Sequence, residues 1–413
     1  MHKIVFEEEK YLTDKGKRNI NILEVLRRYG PISRPDISSK VGMNVVTISH
    51  YIDDFIKYNF VYEKELDISE GGRRPVLLDL NAKAAYAIGV GLNLMNMVGI
   101  LVDLKGNIIT KTQIERPKAS VRDITECIVG ITGEILKRSR DYMDKIRGIG
   151  IGIAGLVNKK DNSIHWPEKL DDNYTYASVN IPLKDLMEKE FNLPTVIEND
   201  ATAACFGEKW LSLDSQIENV IYMFSGVGCG IIINGEIYTG ANGCAGETAI
   251  HNYKDSNLFN CSFGNPCFLK RWDLDLGIVS DVKKRISSGQ HKEDADKILE
   301  LADKGPESLD LNAVFMAHLK KNPMAREVLD AAAKRLGIKI AYLVNLLNPQ
   351  IVVIGGGLEE AGEEFLDKVT KVVKEWTFRE ISEDLKIIYS QLRENAVAQG
   401  AASLVMRQLF AHL

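Results

Sequence analysis

The chain has 413 residues, 45% hydrophobic and 26% charged, with a formal net charge of −5. That is globular composition with apolar material for two or three domains, and the charge argues against nucleic-acid binding as the whole role. Six cysteines are few for the length, and the start of the chain holds no apolar stretch long enough for a secretory signal, so reduced thiols in the cytoplasm are expected.

The charge is uneven. Residues 1–83 hold 14 Lys and Arg against 13 Asp and Glu, a net +1, which leaves −6 on the remainder. A neutral front and an acidic body suit a small DNA-binding head on a larger domain. Residues 85–102 are apolar enough to raise the question of a membrane span. Asn93, Asn96 and three glycines interrupt them, so buried strands are the better reading and no membrane partner is expected.

In chain order, the spacing of Ile20, Leu23, Val25 and Leu26 predicts an amphipathic helix over 19–29, ended by Gly30-Pro31. A short second helix follows, with Ser33 as N-cap, Pro35 in its first turn, and Ile37 and Val41 facing inward. Gly42 makes a turn. A third helix runs from about Asn44 to about Tyr58, with Val46, Ile52, Phe55 and Ile56 as its apolar residues. This is the helix-turn-helix pattern. Residues 61–63 and 76–80 read as the strands of a wing, with Gly71-Gly72-Arg73-Arg74-Pro75 at its tip. Arg73 and Arg74 can reach phosphates or a minor groove. Asn44, Thr47, Ser49 and His50 lead the third helix, with side chains that suit base edges and phosphates. They also suit any exposed helix start, no Lys or Arg accompanies them, and a helical dimerisation module with a charged hairpin would share the pattern.

The body repeats itself. Ala87-Ile88-Gly89-Val90-Gly91-Leu92-Asn93 leads into residues 98–103, and residues 220–230 lead into 231–233. Each reads as strand, turn, strand, tight turn, strand, and each opens a half that continues through helices. An internal duplication into two α/β lobes with a cleft between them is expected. Gly226, Gly228 and Gly230 in the second hairpin, and Gly355 and Gly356 after the strand 351–354, are candidates for phosphate-binding loops, although tight turns alone also demand glycine. Glu198-Asn199-Asp200-Ala201 ends an apolar strand and opens a helix. Asp200 there can accept a proton from a sugar hydroxyl and Asn199 can hydrogen-bond its neighbours, but the spacing by itself favours Asp200 as a plain N-cap. Glu247 is a second cleft carboxylate on a glycine-rich loop. His165-Trp166 offers a stacking surface or a plain loop pair, and His251, Cys261 and Cys267 match no four-ligand zinc pattern.

Together these residues resemble the repressor–kinase (ROK) family in its xylose- and N-acetylglucosamine-repressor form. The head resembles it through Arg27-Arg28-Tyr29-Gly30-Pro31-Ile32-Ser33-Arg34 and the wing 71–78. The body does so through residues 150–157, the Glu198-Asn199-Asp200-Ala201 run to Glu208, residues 240–247, and Asn348-Pro349-Gln350 to Gly357. The resemblance implies an α/β chain: a winged helix-turn-helix over 1–82, then a two-lobed actin-like (sugar kinase/Hsp70/actin type) domain. Its first lobe would span 83–200, completed by a C-terminal helix at about 396–413, and its second 201–395. Asp200 would take the place of the family's catalytic base, with Asn199 and Glu247 as further sugar ligands.

Departures from the family are informative. Gly91 stands where the kinases carry the Asp of Asp-x-Gly-Gly-Thr, and Asn93 and Leu94 replace its glycines, so ATP and Mg²⁺ are not expected as cofactors. Ala249 and Ile250 replace the Gly and His after Glu247. The zinc motif is reduced to Cys261-x-Phe263-Gly264-Asn265-Pro266-Cys267, so no metal is expected. The leading expectation is a regulator that binds operator DNA and a mono- or small oligosaccharide as a homodimer or homotetramer. The rivals are a sugar kinase with a fused DNA-binding head and a scaffold that binds no sugar.

Overall fold

The computed structural model describes residues 12–64, 76–117, 121–158, 163–169, 176–225, 228–248, 276–289, 291–302 and 308–413. Helix α1 spans Asp14–Tyr29, five residues longer at its start than the apolar period suggests. The Thr13 hydroxyl accepts the Gly16 N–H and Asp14 complements the helix dipole, so a polar first turn forms without an apolar stripe. Strand β1 (Ile32–Ser33) leads into α2 (Arg34–Val41), capped by Ser33 as expected and stopped by Gly42 in the left-handed region. Helix α3 (Val45–Lys57) follows, with Asn44 as its cap. The core of this head is Ile20, Leu23, Leu26, Ile37, Ile48, Ile52 and Phe55, all buried. Val41 is only half-buried, and Val46 faces solvent.

Strands β2 (Val61–Lys64) and β3 (Leu77–Leu80) pair antiparallel, Val61 opposite Leu80. The wing also has a third strand that the sequence did not suggest, because β1 pairs with β3, Ile32 opposite Leu78. Val76 precedes β3 rather than opening it. The wing tip with Arg73 and Arg74 lies outside the described residues.

The body opens with β4 (Tyr86–Leu92), β5 (Asn96–Asp103) and β6 (Ile108–Glu115), an antiparallel meander followed by α4 (Val121–Arg138) and β7 (Ile146–Ile153). A small sheet of β8 (Leu156–Asn158), β9 (Ser163–Lys169) and β10 (Tyr176–Ile181) intervenes before α5 (Leu183–Phe191), β11 (Thr195–Asn199) and α6 (Asp200–Leu211). The second half repeats the scheme. Strands β12 (Val220–Phe224), β13 (Gly228–Ile233) and β14 (Glu236–Ile237) form the meander. Helices α7 (Ile278–Ser287), α8 (Lys292–Leu299), α9 (Leu311–Leu319) and α10 (Pro323–Leu347) lead to β15 (Ile351–Gly355). Then come α11 (Glu363–Trp376), α12 (Arg379–Ser382), β16 (Lys386–Tyr389) and α13 (Ala396–Ala411).

The two large sheets share one topology. In order they run β11-β7-β4-β5-β6 and β16-β15-β12-β13-β14, with the meander antiparallel and the remaining strands parallel to its first member. The duplication read from the two hairpins is thus present. The apolar run at 85–102 is the central pair β4–β5, and among the described residues no helix is long and apolar enough to cross a membrane.

Helix α13 closes the chain against the first sheet and α6. A Cβ on Gly89 would lie 2.0 Å from the Ala398 carbonyl oxygen, and one on Gly150 would lie 2.0 Å from that of Ala401. Glycine on the strands and alanine on the helix allow this approach. One apolar cluster runs from Ile20, Ile48 and Phe55 of the head through Ala85 and Trp210 to Phe410 of α13, so head and body share a core.

Candidate functional site

Asn199 ends β11 and caps α6. Its Oδ1 accepts the N–H groups of Ala201 (3.0 Å) and Thr202 (3.2 Å), and its Nδ2 donates to the Gly155 carbonyl at 3.2 Å. The capping role that spacing assigned to Asp200 therefore belongs to Asn199. Asp200 is left in the first turn of α6, where its Oδ1 accepts the Ala201 N–H at 2.8 Å. Burial pushes its carboxyl up from 3.8 to about 6, against the opposing pull of the Ala201 N–H and of Arg116.

Sequence reasoning missed Arg116. It follows β6 in no motif, and its Nη1 donates to the Asn93 carbonyl at 2.6 Å while its charge acts on Asp200. Only folding brings the end of β6 beside the start of α6. Glu247 reaches the same region through β13. It faces Gly228 in an antiparallel bridge, the Cys229 N–H donates to Gly246 O at 2.8 Å, and a Cβ on Gly228 would lie 3.8 Å from that of Ala201.

The phosphate-loop candidates fare differently from one another. Gly226 lies outside the described residues. A Cβ on Gly230 would lie 2.3 Å from the Ala201 carbonyl oxygen, and one on Gly355 would lie 1.9 Å from the Tyr222 hydroxyl, so packing alone demands glycine at both. Gly356 adopts φ +79° and its carbonyl accepts the Leu94 N–H at 3.0 Å. That bond ties the tip of the first hairpin to the second lobe, where Leu94 packs on the apolar core. Asn93 holds the tip: its Oδ1 accepts from Met95 (2.9 Å) and Asn96 (2.7 Å), and its Nδ2 donates to Glu394 O at 3.3 Å. At Gly91 a Cβ would lie 2.5 Å from Ala398 N and 2.6 Å from Val397 Cβ. Helix α13 fills the space a carboxylate there would need.

The far end of α6 meets the head. Arg28 donates to the carbonyls of Lys209 (2.5 Å) and Leu213 (2.8 Å), Arg27 donates to that of Trp210 and stacks 5.0 Å from its ring, and Tyr29 bonds Ser215 at 2.6 Å. Cations at a helix C-terminus meet both its unpaired carbonyls and its dipole. Twelve residues, about 18 Å at 1.5 Å per residue, separate Asp200 from these arginines. Asn19 of α1 is buried with neither side-chain atom hydrogen-bonded in this arrangement.

In the head, Asn44 Oδ1 accepts the Thr47 N–H at 2.8 Å and Ser49 Oγ donates to Val45 O at 2.9 Å, so both side chains serve their own helix. His50 is exposed. The side chains of His165 and Trp166, and His251, Cys261 and Cys267 entirely, lie outside the described residues. Among the described ones, no group of three His, Cys, Asp or Glu side chains is placed to hold a metal.

Residues 86–408 match the ROK family. The chain belongs to the ROK family. It is 31% identical over 384 residues to the xylose repressor of Caldicellulosiruptor bescii, covering 92% of each chain. A solved ROK family transcriptional regulator, a homolog of the E. coli MLC protein, superposes with a TM-score of 0.73 at 22% identity, covering 96% of this chain and 97% of that one. A ROK family glucokinase from Streptomyces griseus, solved with glucose and AMPPNP, superposes with a TM-score of 0.64 at 26% identity, covering 78% of this chain and 99% of that one. The fold of this ROK protein is therefore the two-lobed actin-like one, and the match to the regulator extends it through the head.

Proposed function

We propose that this ROK protein is a sugar-responsive transcription regulator, a repressor of carbohydrate-metabolism genes. In this reading the winged head binds operator DNA and a sugar binds between the lobes at Asn199, Asp200 and Glu247. One observation carries the coupling: Asp200 opens a helix whose other end is held by Arg27 and Arg28 of the head. A sugar hydroxyl donating to Asp200 favours its charged form, and the free Nδ2 hydrogen of Asn199 can donate to a neighbouring hydroxyl. Binding that favours one lobe angle moves α6, and with it the head. Half-site spacing is fixed by the duplex, so paired heads in a homodimer or homotetramer change their operator affinity. The relatives named as xylose repressors make xylose the first sugar to test, with glucose and N-acetylated hexosamines next. Such a role belongs in the cytoplasm, beside the chromosome.

The kinase alternative fits the residues poorly. Space at Gly91 is taken by α13, and Leu94 occupies the hairpin tip and bonds Gly356, so the carboxylate and open backbone that would hold ATP and Mg²⁺ are missing. No cofactor is required in this reading, and no zinc. The test is a thermal-shift screen of the purified protein against a sugar library, followed by electrophoretic mobility shift on its own upstream DNA with and without the hit. A hit that changes DNA affinity, with no ADP released from ATP and Mg²⁺, supports the proposal. Turnover of ATP with a sugar, or failure to bind any sugar, overturns it.

A further inference from the structure

Helix α3 is the second helix of the helix-turn-helix, and its buried face is set by Ile48, Ile52 and Phe55. At 100° per residue, Val46 falls about 160° from Ile48, on the opposite face, together with His50, Asp53 and Lys57, while Ser49 lies on the flank. Val46 is 69% exposed and its neighbour Val45 41%, in the first turn of the helix. The first two turns of that face carry no Lys or Arg, and the one on the face, Lys57, sits in the last turn of the helix; Ser49 bonds back to Val45 O, and Asp53 is paired with Arg34 of α2 at 3.2 Å. Asn44, the one side chain here able to make a bidentate base contact, is engaged as the helix cap. In a helix-turn-helix the N-terminal residues of this helix approach base edges in the major groove. An exposed β-branched pair at that place has no folding role, and the apolar feature a major groove presents is the thymine 5-methyl group.

We propose that Val46, assisted by Val45, is a specificity-determining residue that reads thymine methyl groups in the operator half-site. The inference rests on the DNA-binding reading above and deepens it by naming the recognised chemistry. Val46 closes over one methyl and removes it from water, which is worth about fourfold in affinity per contact at 0.8 kcal/mol per buried methylene. Two symmetric half-sites bring the effect to about fifteenfold. Phosphate contacts from elsewhere in the head supply the remaining affinity, independent of sequence.

The experiment uses the full chain. An operator is first selected from random duplexes, and each half-site thymine is then replaced by deoxyuridine, which pairs identically and lacks only the methyl. The expected result is one or two positions per half-site where wild-type protein loses about fourfold, and a Val46→Ala protein that binds the thymine operator more weakly and shows no further loss with deoxyuridine there. Because Val46 is exposed, the variant keeps the wild-type melting point. Uniform indifference to deoxyuridine, or a deoxyuridine penalty that persists undiminished in Val46→Ala, overturns the inference while leaving DNA binding intact. A pool from which no duplex is enriched overturns the DNA-binding reading as well.

Discussion

Asp200→Asn is expected to stabilise the protein near neutral pH while weakening its sugar response. Burial lifts the Asp200 carboxyl from 3.8 to about 6, against the Ala201 N–H and Arg116. A folded-state value above the unfolded one means that the folded chain holds the proton more tightly. Stability from this group is therefore greatest in acid and falls as pH rises from about 4 through about 6. At 1.36 kcal/mol per decade, the charged carboxylate costs about 3 kcal/mol at pH 7 and roughly half that at pH 5. The amide has the same shape, keeps an acceptor for the Ala201 N–H, and carries no charge to desolvate. A unit of 150–250 residues gains about 2–4 °C per kcal/mol, so the midpoint should rise by roughly 6–12 °C at pH 7 and by about half as much at pH 5. Calorimetry of both proteins from pH 5 to 8 without sugar measures this, and a sugar titration at pH 7 checks the lost affinity. A variant that melts below wild type at pH 7, or above it by a margin independent of pH, would show that the buried charge is not the source of the cost. Unchanged sugar affinity would remove Asp200 from the site.

Three further outcomes follow from the same geometry. Arg28→Ala removes two bonds to the C-terminal end of α6 and should cut the sugar-induced change in operator affinity, typically 5–150-fold in coupled systems, to less than about threefold. Sugar affinity itself should stay near wild type, so gel shifts with and without sugar decide the point, and an undiminished ratio would rule out α6 as the route. Gly91→Asp should not create kinase activity: its Cβ meets Ala398 N at 2.5 Å, and overpacking of this kind costs at least about 1–3 kcal/mol. A well-folded variant that turns over ATP would refute the account of the cleft. Arg73→Ala with Arg74→Ala should weaken binding to all duplexes alike and reduce the salt slope by nearly 2, at about 0.9 per phosphate contact; an unchanged slope would discard the wing as a phosphate clamp.

Local signals were legible wherever the chemistry was local. Ser33 before Pro35, Gly42 at the turn and Ile52 with Phe55 on one face were legible in the head because capping, left-handed turns and burial of one face act over a few residues, whereas Val46, read among the apolar residues of its helix, faces solvent and Ile48 takes the buried place. The two glycine-punctuated hairpins showed the duplication because strand alternation and tight turns leave short-range marks. Asn199, Asp200 and Glu247 became sugar-ligand candidates through the run at a strand-to-helix junction and a second acidic loop, aided by the family resemblance. Spacing put Asp200 at the cap of α6 and the structure puts Asn199 there, since either side chain can accept the same N–H groups and only the packed backbone chooses. The sequence could not show Arg116 beside Asp200, Arg28 on the carbonyls of α6, or α13 filling the space at Gly91. Those contacts join residues far apart in the chain. No spacing rule encodes them; they exist only once sheets, helices and a shared core have closed the distance.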